Sequence, residues 1–219
     1  MKSIALIHTV KTVAVSFDET LKQYVGEEVK VHNLWDDFLA NNPNEVGEFT
    51  IENRNRLFFD IKSAEMTGAD MIVVTCSTLT PVVNMIRPFV SVPLIAIDDA
   101  MGRKAVTYGE KLLILATAGS TREPLTDKLL AEAEKIGKQV RIDFRDNAEA
   151  FQAMKAVQMD RHDALLLEMA KEISGYDCVV LAQASMAHLD KKIEEICKIP
   201  VLSSPTLCLE QVKETLKSI

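Results

Sequence analysis

The sequence predicts an α/β protein of two similar lobes, each a four-stranded parallel sheet flanked by helices, and two observations lead there. Short β-branched apolar runs alternate with longer amphipathic stretches, the pattern of buried parallel strands joined by crossover helices. The pattern is also written twice. Residues 68–79, GADMIVVTCSTL, return 107 positions on (68 to 175) as GYDCVVLAQASM over 175–186. In the same order VPLIAI at 92–97 answers to IPVLSS at 199–204, and SIALIHT at 3–9 to KLLILAT at 111–117. A duplicated half of this kind predicts two lobes related by a pseudo-two-fold axis, with the active site in the cleft between them.

Taken in order, the apolar runs place strands near 3–8, 28–32, 71–75 and 93–97, then near 111–116, 139–143, 178–182 and 200–203. Helical periodicity fits 12–24, 47–67, 79–88, 121–136, 147–173, 186–197 and 206–218. Each starts near a Thr, Ser, Asp or Asn that can cap it. Right-handed crossovers then cover each sheet on both faces. The halves join around Asp98 to Glu110, where DDAMGRKAVTYGE loses strand character, and the expected division is 1–98 plus 206–219 against 99–205.

Composition narrows the partners. A chain of 219 residues with 47% hydrophobic and 26% charged residues can bury a substantial core. A net charge of −7 gives no basic face for nucleic acid or an anionic membrane, so small molecules or protein are the expected partners. No apolar run approaches the ~20 residues that span a bilayer, and Met1-Lys2-Ser3 runs directly into the first strand without a secretory leader, which points to the cytoplasm. Cysteines 76, 178, 197 and 208 contain no C-x-x-C pair, and histidines 8, 32, 162 and 188 never stand at metal-ligand spacing, so neither a disulfide framework nor a metal site is expected.

Ligands of open α/β sheets gather beyond the carboxyl ends of the strands. His8-Thr9, Thr75-Cys76-Ser77-Thr78, Thr117-Ala118-Gly119-Ser120-Thr121 and Gln183-Ala184-Ser185 all lie at such ends. Cys76 is the reactive candidate. Ser77, Thr78 or Thr80 can cap the helix that follows, Pro81 suits its first turn, and a sulfur there is expected to face free backbone N–H groups and the positive end of the helix dipole. A shift from the ordinary thiol pKa to ~7 raises the thiolate fraction at pH 7 from about 3% to about half. Against this stands the small, inert core cysteine that often ends a strand.

These residues resemble the aspartate/glutamate/hydantoin racemase superfamily along nearly the whole chain. TCSTLTP is similar to the family's first cysteine motif, ATAGST at 116–121 to its A-T-x-G-T loop, and VVLAQASMA to its second cysteine motif with the cysteine missing. The resemblance implies two α/β lobes with the C-terminal helix returning to the first, no cofactor, and isomerase chemistry of the amino-acid racemase or epimerase kind. One cysteine takes a proton from the carbon beside a carboxylate, and a second returns it on the other face. It implies an amino acid or other small carboxylic acid as substrate and admits a homodimer. By the same resemblance Cys76 is the acid/base residue and Thr117, Ser120 and Thr121 bind the carboxylate, with Thr75, Ser77 and Thr78 orienting substrate or stabilising thiolate.

Gln183 stands where the second cysteine would. A primary amide neither takes nor yields a proton near pH 7, so a symmetric two-cysteine mechanism is not expected. Gln183 can instead donate a hydrogen bond to a developing enolate or carboxylate oxygen, or be an amide satisfied by backbone. One-cysteine relatives include decarboxylases and cis–trans isomerases of small dicarboxylates, and a non-catalytic binder of carboxylic acids is the reading from another class. His8 is read as a substrate contact or a structural histidine, and Arg54 and Arg56 as an anion clamp or solvated surface. Asp98 and Asp99 read as capping or linking residues, Arg122 as the start of a helix beside the ATAGST loop, and Cys178 as buried and inert.

Overall fold

The computed structural model describes residues 1–26 and 28–219 and divides into two compact units, Met1–Ile97 with Thr206–Ile219, and Asp98–Pro205. In the first, β1 (Ser3–His8), α1 (Lys11–Val25), β2 (Lys30–Trp35), α2 (Phe38–Val46), α3 (Ile51–Glu65), β3 (Met71–Val74), α4 (Thr80–Ile86) and β4 (Leu94–Ala96) form a parallel sheet of order β2-β1-β3-β4 with its helices. The second contains α5 (Asp99–Tyr108), β5 (Lys111–Ala116), α6 (Arg122–Lys135), β6 (Arg141–Asp146), α7 (Ala148–Lys155), α8 (Met159–Ala170), β7 (Cys178–Leu181), α9 (Asp190–Cys197) and β8 (Val201–Leu202). Its sheet is also parallel, with order β6-β5-β7-β8. The last helix, α10 (Ser204–Ser218), supplies Cys208, Leu209, Val212 and Leu216 to the core of the first unit.

The duplication extends to register. Ile4 pairs with Met71 and Ile72 with Leu94 in one sheet, as Leu112 pairs with Cys178 and Val179 with Val201 in the other. The repeated G-x-D explains how both copies start. Gly68 and Gly175 sit at φ +74° and +78°, a region that favours glycine. The turn they make lets the aspartate two residues on reach the first strand. Asp70 Oδ2 accepts from the Ser3 N–H at 2.7 Å, while Asp177 Oδ2 accepts from Glu110 and Lys111 N–H at 2.8 and 2.9 Å. Backbone donors hold both carboxyls below the usual carboxylate range. Gly109 is needed beside this carboxylate, because a Cβ there would lie 2.1 Å from Asp177 Cγ.

Alternation along the strands feeds two cores in the first unit. Ala5, Ile7, Ile72 and Val74 pack towards α3 and α4, while Ile4, Leu6, Met71 and Val73 pack towards α1 and α10. Each fully buried Val, Leu, Ile or Met chain among them contributes about 1.5–3 kcal/mol. In the second unit Leu113, Leu115, Val179 and Leu181 pack with α8, and α5 and α6 lie on β7 and β5. Between α5 and α6 a buried Lys128 pairs with Asp99 and, at 3.0 Å, with Glu132, its stem running over Gly102, the residue of α5 that leaves room for it.

Several sequence expectations are corrected. The span 47–67 begins too early: Gly47, in the left-handed region, closes an unforeseen α2 that contains Pro43, and Thr50 starts α3 in a capping box with Asn53. Residues 147–173 form two helices rather than one, broken at Val157, whose φ of +59° no helix continues. At the join, where strand character was expected to end, Asp98 is the N-cap of α5. β2 and β6 each end three residues further on than the apolar runs suggest. Both are outer strands of their sheets, where polar residues such as Asn33 and Asp143 are tolerated.

Candidate active site

In the first unit, the carboxyl end of β1 is fixed by a buried polar cluster. His8 is 0% exposed, its Nδ1 2.8 Å from Thr75 Oγ1 and its Nε2 3.0 Å from Asn33 Oδ1. The Thr75 hydroxyl also donates to Ile7 O at 3.2 Å, so His8, Thr75, Asn33 and the end of β1 form one buried network. Burial lowers the His8 pKa and keeps the ring neutral. Both ring nitrogens are engaged within the fold, and the side chain aligns Thr75 and hence the backbone entering Cys76.

Cys76 follows β3 in extended conformation (φ −127°, ψ 115°), half-buried, with Sγ 2.9 Å from Thr78 Oγ1. The expected environment needs correction. A 3-10 turn over Ser77–Leu79 separates the cysteine from α4, and neither Cys76 nor Leu79, the N-cap of α4, makes a side-chain cap bond. The sulfur's partner is therefore a hydroxyl, a donor suited to a thiolate, in place of a row of backbone N–H groups. Pro81 does occupy the first turn of α4.

In the second unit Gln183 holds the corresponding position, and its amide is engaged on both sides. Oε1 accepts from the Thr117 N–H at 3.0 Å, and Nε2 approaches Thr121 Oγ1 at 3.4 Å, a long contact. The bond to Thr117 ties the end of β7 to the end of β5. Thr121 Oγ1 donates to Ala118 O at 2.8 Å, closing the turn that carries Gly119 and Ser120, both exposed. Thr117 is 1% exposed, yet its Oγ1 has no partner, and the half-buried Ser185 Oγ also has none. Ala184 and Ser185 lie on a 3-10 turn over Ala184–Leu189. Buried hydroxyls left unpaired at a strand end are free to bond a ligand.

The remaining candidates are structural in their contacts. Arg56 pairs with Asp36 and lies 5.0 Å from the Phe38 ring, Arg122 stacks 4.6 Å from Phe144, and Arg54 is exposed. Burial pushes the Cys178 thiol up to about 12. Two groupings escaped sequence reasoning because their members are far apart in the chain: Asp36 with Asp60, and His162 with Asp163 and His188. Hollows of about 380 and 170 Å³ open at the amino ends of the strands, lined in part by Lys2 and Val29 and by Lys111 and Tyr176, so neither involves Cys76 or Gln183. Among the described residues no cluster of histidine, cysteine and carboxylate side chains could hold a metal, and no helix is long and apolar enough to cross a membrane.

Two matching parallel sheets, each with a polar turn at the carboxyl end of its β3 or β7 strand, define a duplicated α/β protein. A family model described as Asp/Glu/Hydantoin racemase matches residues 46–212, and the chain belongs to that family. Its fold is similar to that of an aspartate racemase homologue from Pyrococcus horikoshii OT3 (TM-score 0.67, 18% identity, covering 100% of both chains). An allantoin racemase from Klebsiella pneumoniae aligns with TM-score 0.65 and 15% identity over 100% of this chain and 89% of that one. For a glutamate racemase from Thermus thermophilus the TM-score is 0.71 at 16% identity, over 99% and 81%. No curated protein matches the chain in sequence.

Proposed function

We propose that this protein is a cofactor-independent enzyme that moves a proton at a carbon adjacent to a carboxylate of an amino acid or related small acid, with Cys76 as its one acid/base thiol. The observation that carries this reading is the asymmetry between equivalent positions: a half-buried thiol with a hydroxyl partner at Cys76, and a non-titrating amide bonded to Thr117 and Thr121 at Gln183.

In the step proposed, Cys76 thiolate takes the α-proton, and the C–H electron pair moves into the carboxylate to give an enediolate. Thr117 Oγ1, Ser120 and Ser185 supply hydroxyl donors to the carboxylate, Thr121 holds the turn through Ala118 O, and Thr78 hydrogen-bonds the sulfur whenever it is anionic. The thiol then returns a proton to the same carbon. With Gln183 unable to deliver a proton, return occurs on the face from which it left. A malonate that loses carbon dioxide would pass through the same enediolate and be protonated in the same way.

The test is incubation with amino acids, hydantoins, malonates and maleate in deuterated water. Wild type should place deuterium at the α carbon of at least one acid with retained configuration. Cys76→Ala should lower that rate by about 100-fold or more, and Thr117→Val should raise KM. Equal labelling by Cys76→Ala, or none by wild type across the panel, would refute the reading.

A further inference from the structure

Asp163 lies between two histidines. Its Oδ1 is 2.8 Å from His162 Nδ1 and its Oδ2 2.8 Å from His188 Nε2, with the two rings stacked at 6.4 Å and 24°. The geometry sets the protons. Asp163 is held below the usual carboxylate range: burial works against this, and the hydrogen bonds from His162 and His188 outweigh it. It therefore only accepts, and both histidines donate to it. His162 is 0% exposed and its Nε2 has no partner among the described residues, so the ring's hydrogen bond is the one to Asp163. His162 and Asp163 belong to α8, whereas His188 belongs to the 3-10 turn over Ala184–Leu189, immediately after Gln183.

The two halves fix equivalent turns by different means. At the 107-residue spacing His188 corresponds to Pro81 (81 to 188), which sits in the first turn of α4, where a locked φ pre-forms the helix start. The second copy has no proline there, and its 3-10 turn runs six residues before α9 begins. A side-chain clasp to α8 supplies the restraint that the ring supplies in the first.

We propose that Asp163, gripped by His162 and His188, is a positioning residue that holds the Ala184–Leu189 turn, and through it Gln183 and Ser185, in binding geometry. The link to ligand rests on the function proposed above; the clasp itself does not. Two readouts therefore separate them. Backbone hydrogen exchange over Ala184–Leu189 should accelerate about tenfold in Asp163→Ala and His188→Ala, the effect of losing the charge-assisted hydrogen bond that joins the turn to α8. His188→Gln, whose amide can still donate to Asp163, should keep wild-type protection. For whichever acid wild type labels, the two alanine variants should raise KM about tenfold while kcat changes less, and His188→Gln should restore KM. Unchanged exchange in both alanine variants would overturn the clasp, and altered exchange with unchanged KM in an active enzyme would overturn its role in binding. If wild type labels no acid, the function proposed above fails while exchange still decides the clasp. His188 is 47% exposed at its side chain, so His188→Ala gives a folded comparison even where Asp163→Ala does not.

Discussion

Replacing Asp60 by Asn should remove a pH dependence from the stability of the first unit. Asp60 on α3 is raised to about 7, first by burial, then by the hydrogen bond and the charge of Asp36, with Arg56 opposing. Asp36 is itself buried at the carboxyl end of β2, accepting from the Phe38 N–H at 3.1 Å and from Arg56. One oxygen of Asp60 is buried without a partner, so the neutral carboxyl is the form the fold accommodates. An unfolded aspartate titrates near 3.9, so between about pH 4 and 7 the folded state binds about one more proton than the unfolded state. The stabilisation is complete below the unfolded pKa and is lost as pH rises through about 7. The full shift would give about 4 kcal/mol; partial exposure reduces this to ~2 kcal/mol. Asn keeps a donor towards Asp36 and has no proton to lose. Urea unfolding followed by fluorescence of the single tryptophan, Trp35, which directly precedes Asp36, reads this unit at pH 4, 5, 6, 7 and 8. Wild type should lose ~2 kcal/mol over that range relative to Asp60→Asn, which becomes the more stable protein at pH 8. A difference between the two that stays constant with pH would refute the argument.

Other expectations follow from the scaffold. Gly109→Ala puts a methyl 2.1 Å from Asp177 Cγ in extended backbone that any residue adopts, so the cost is steric, ~2–3 kcal/mol, and appears as a lower Tm. Asp177→Asn removes a carboxylate held below its usual range by two backbone donors. The stability that carboxylate contributes is present above its unfolded pKa and lost as pH falls, so the variant should be less stable at neutral pH with a shallower acid limb in circular dichroism. Lys128→Met leaves Asp99 and Glu132 buried without their shared cation, a loss of about 3 kcal/mol in chemical unfolding, whereas exposed pairs such as Lys171–Glu168 should be nearly neutral to truncation.

The strands were readable because a parallel strand buried on both faces carries its own signature: β1 and β5 fall at the residues the apolar runs mark. Helix limits were less so. Pro43 reads as a breaker but is tolerated near the end of α2, and Val157 breaks a helix despite an unbroken amphipathic pattern around it. The positions of Cys76 and Gln183 at matching strand ends were visible because both copies keep their spacing. The G-x-D of each copy was visible too, as the same residue types in both, but not what the aspartate bonds.

By itself, the sequence determined the α/β class, the doubling, the strand ends on which polar residues gather and the presence of an amide, Gln183, at the position that answers to Cys76, since each is local or periodic along the chain. Only the tertiary structure decided which distant side chains meet: His8 with Thr75 and Asn33, Gln183 with the Thr117 N–H, Asp36 with Asp60, and Asp163 with His162 and His188. The reason is physical. A hydrogen bond needs atoms within about 3 Å, and no pattern along the chain encodes a contact between residues that are neighbours only after the sheets have formed.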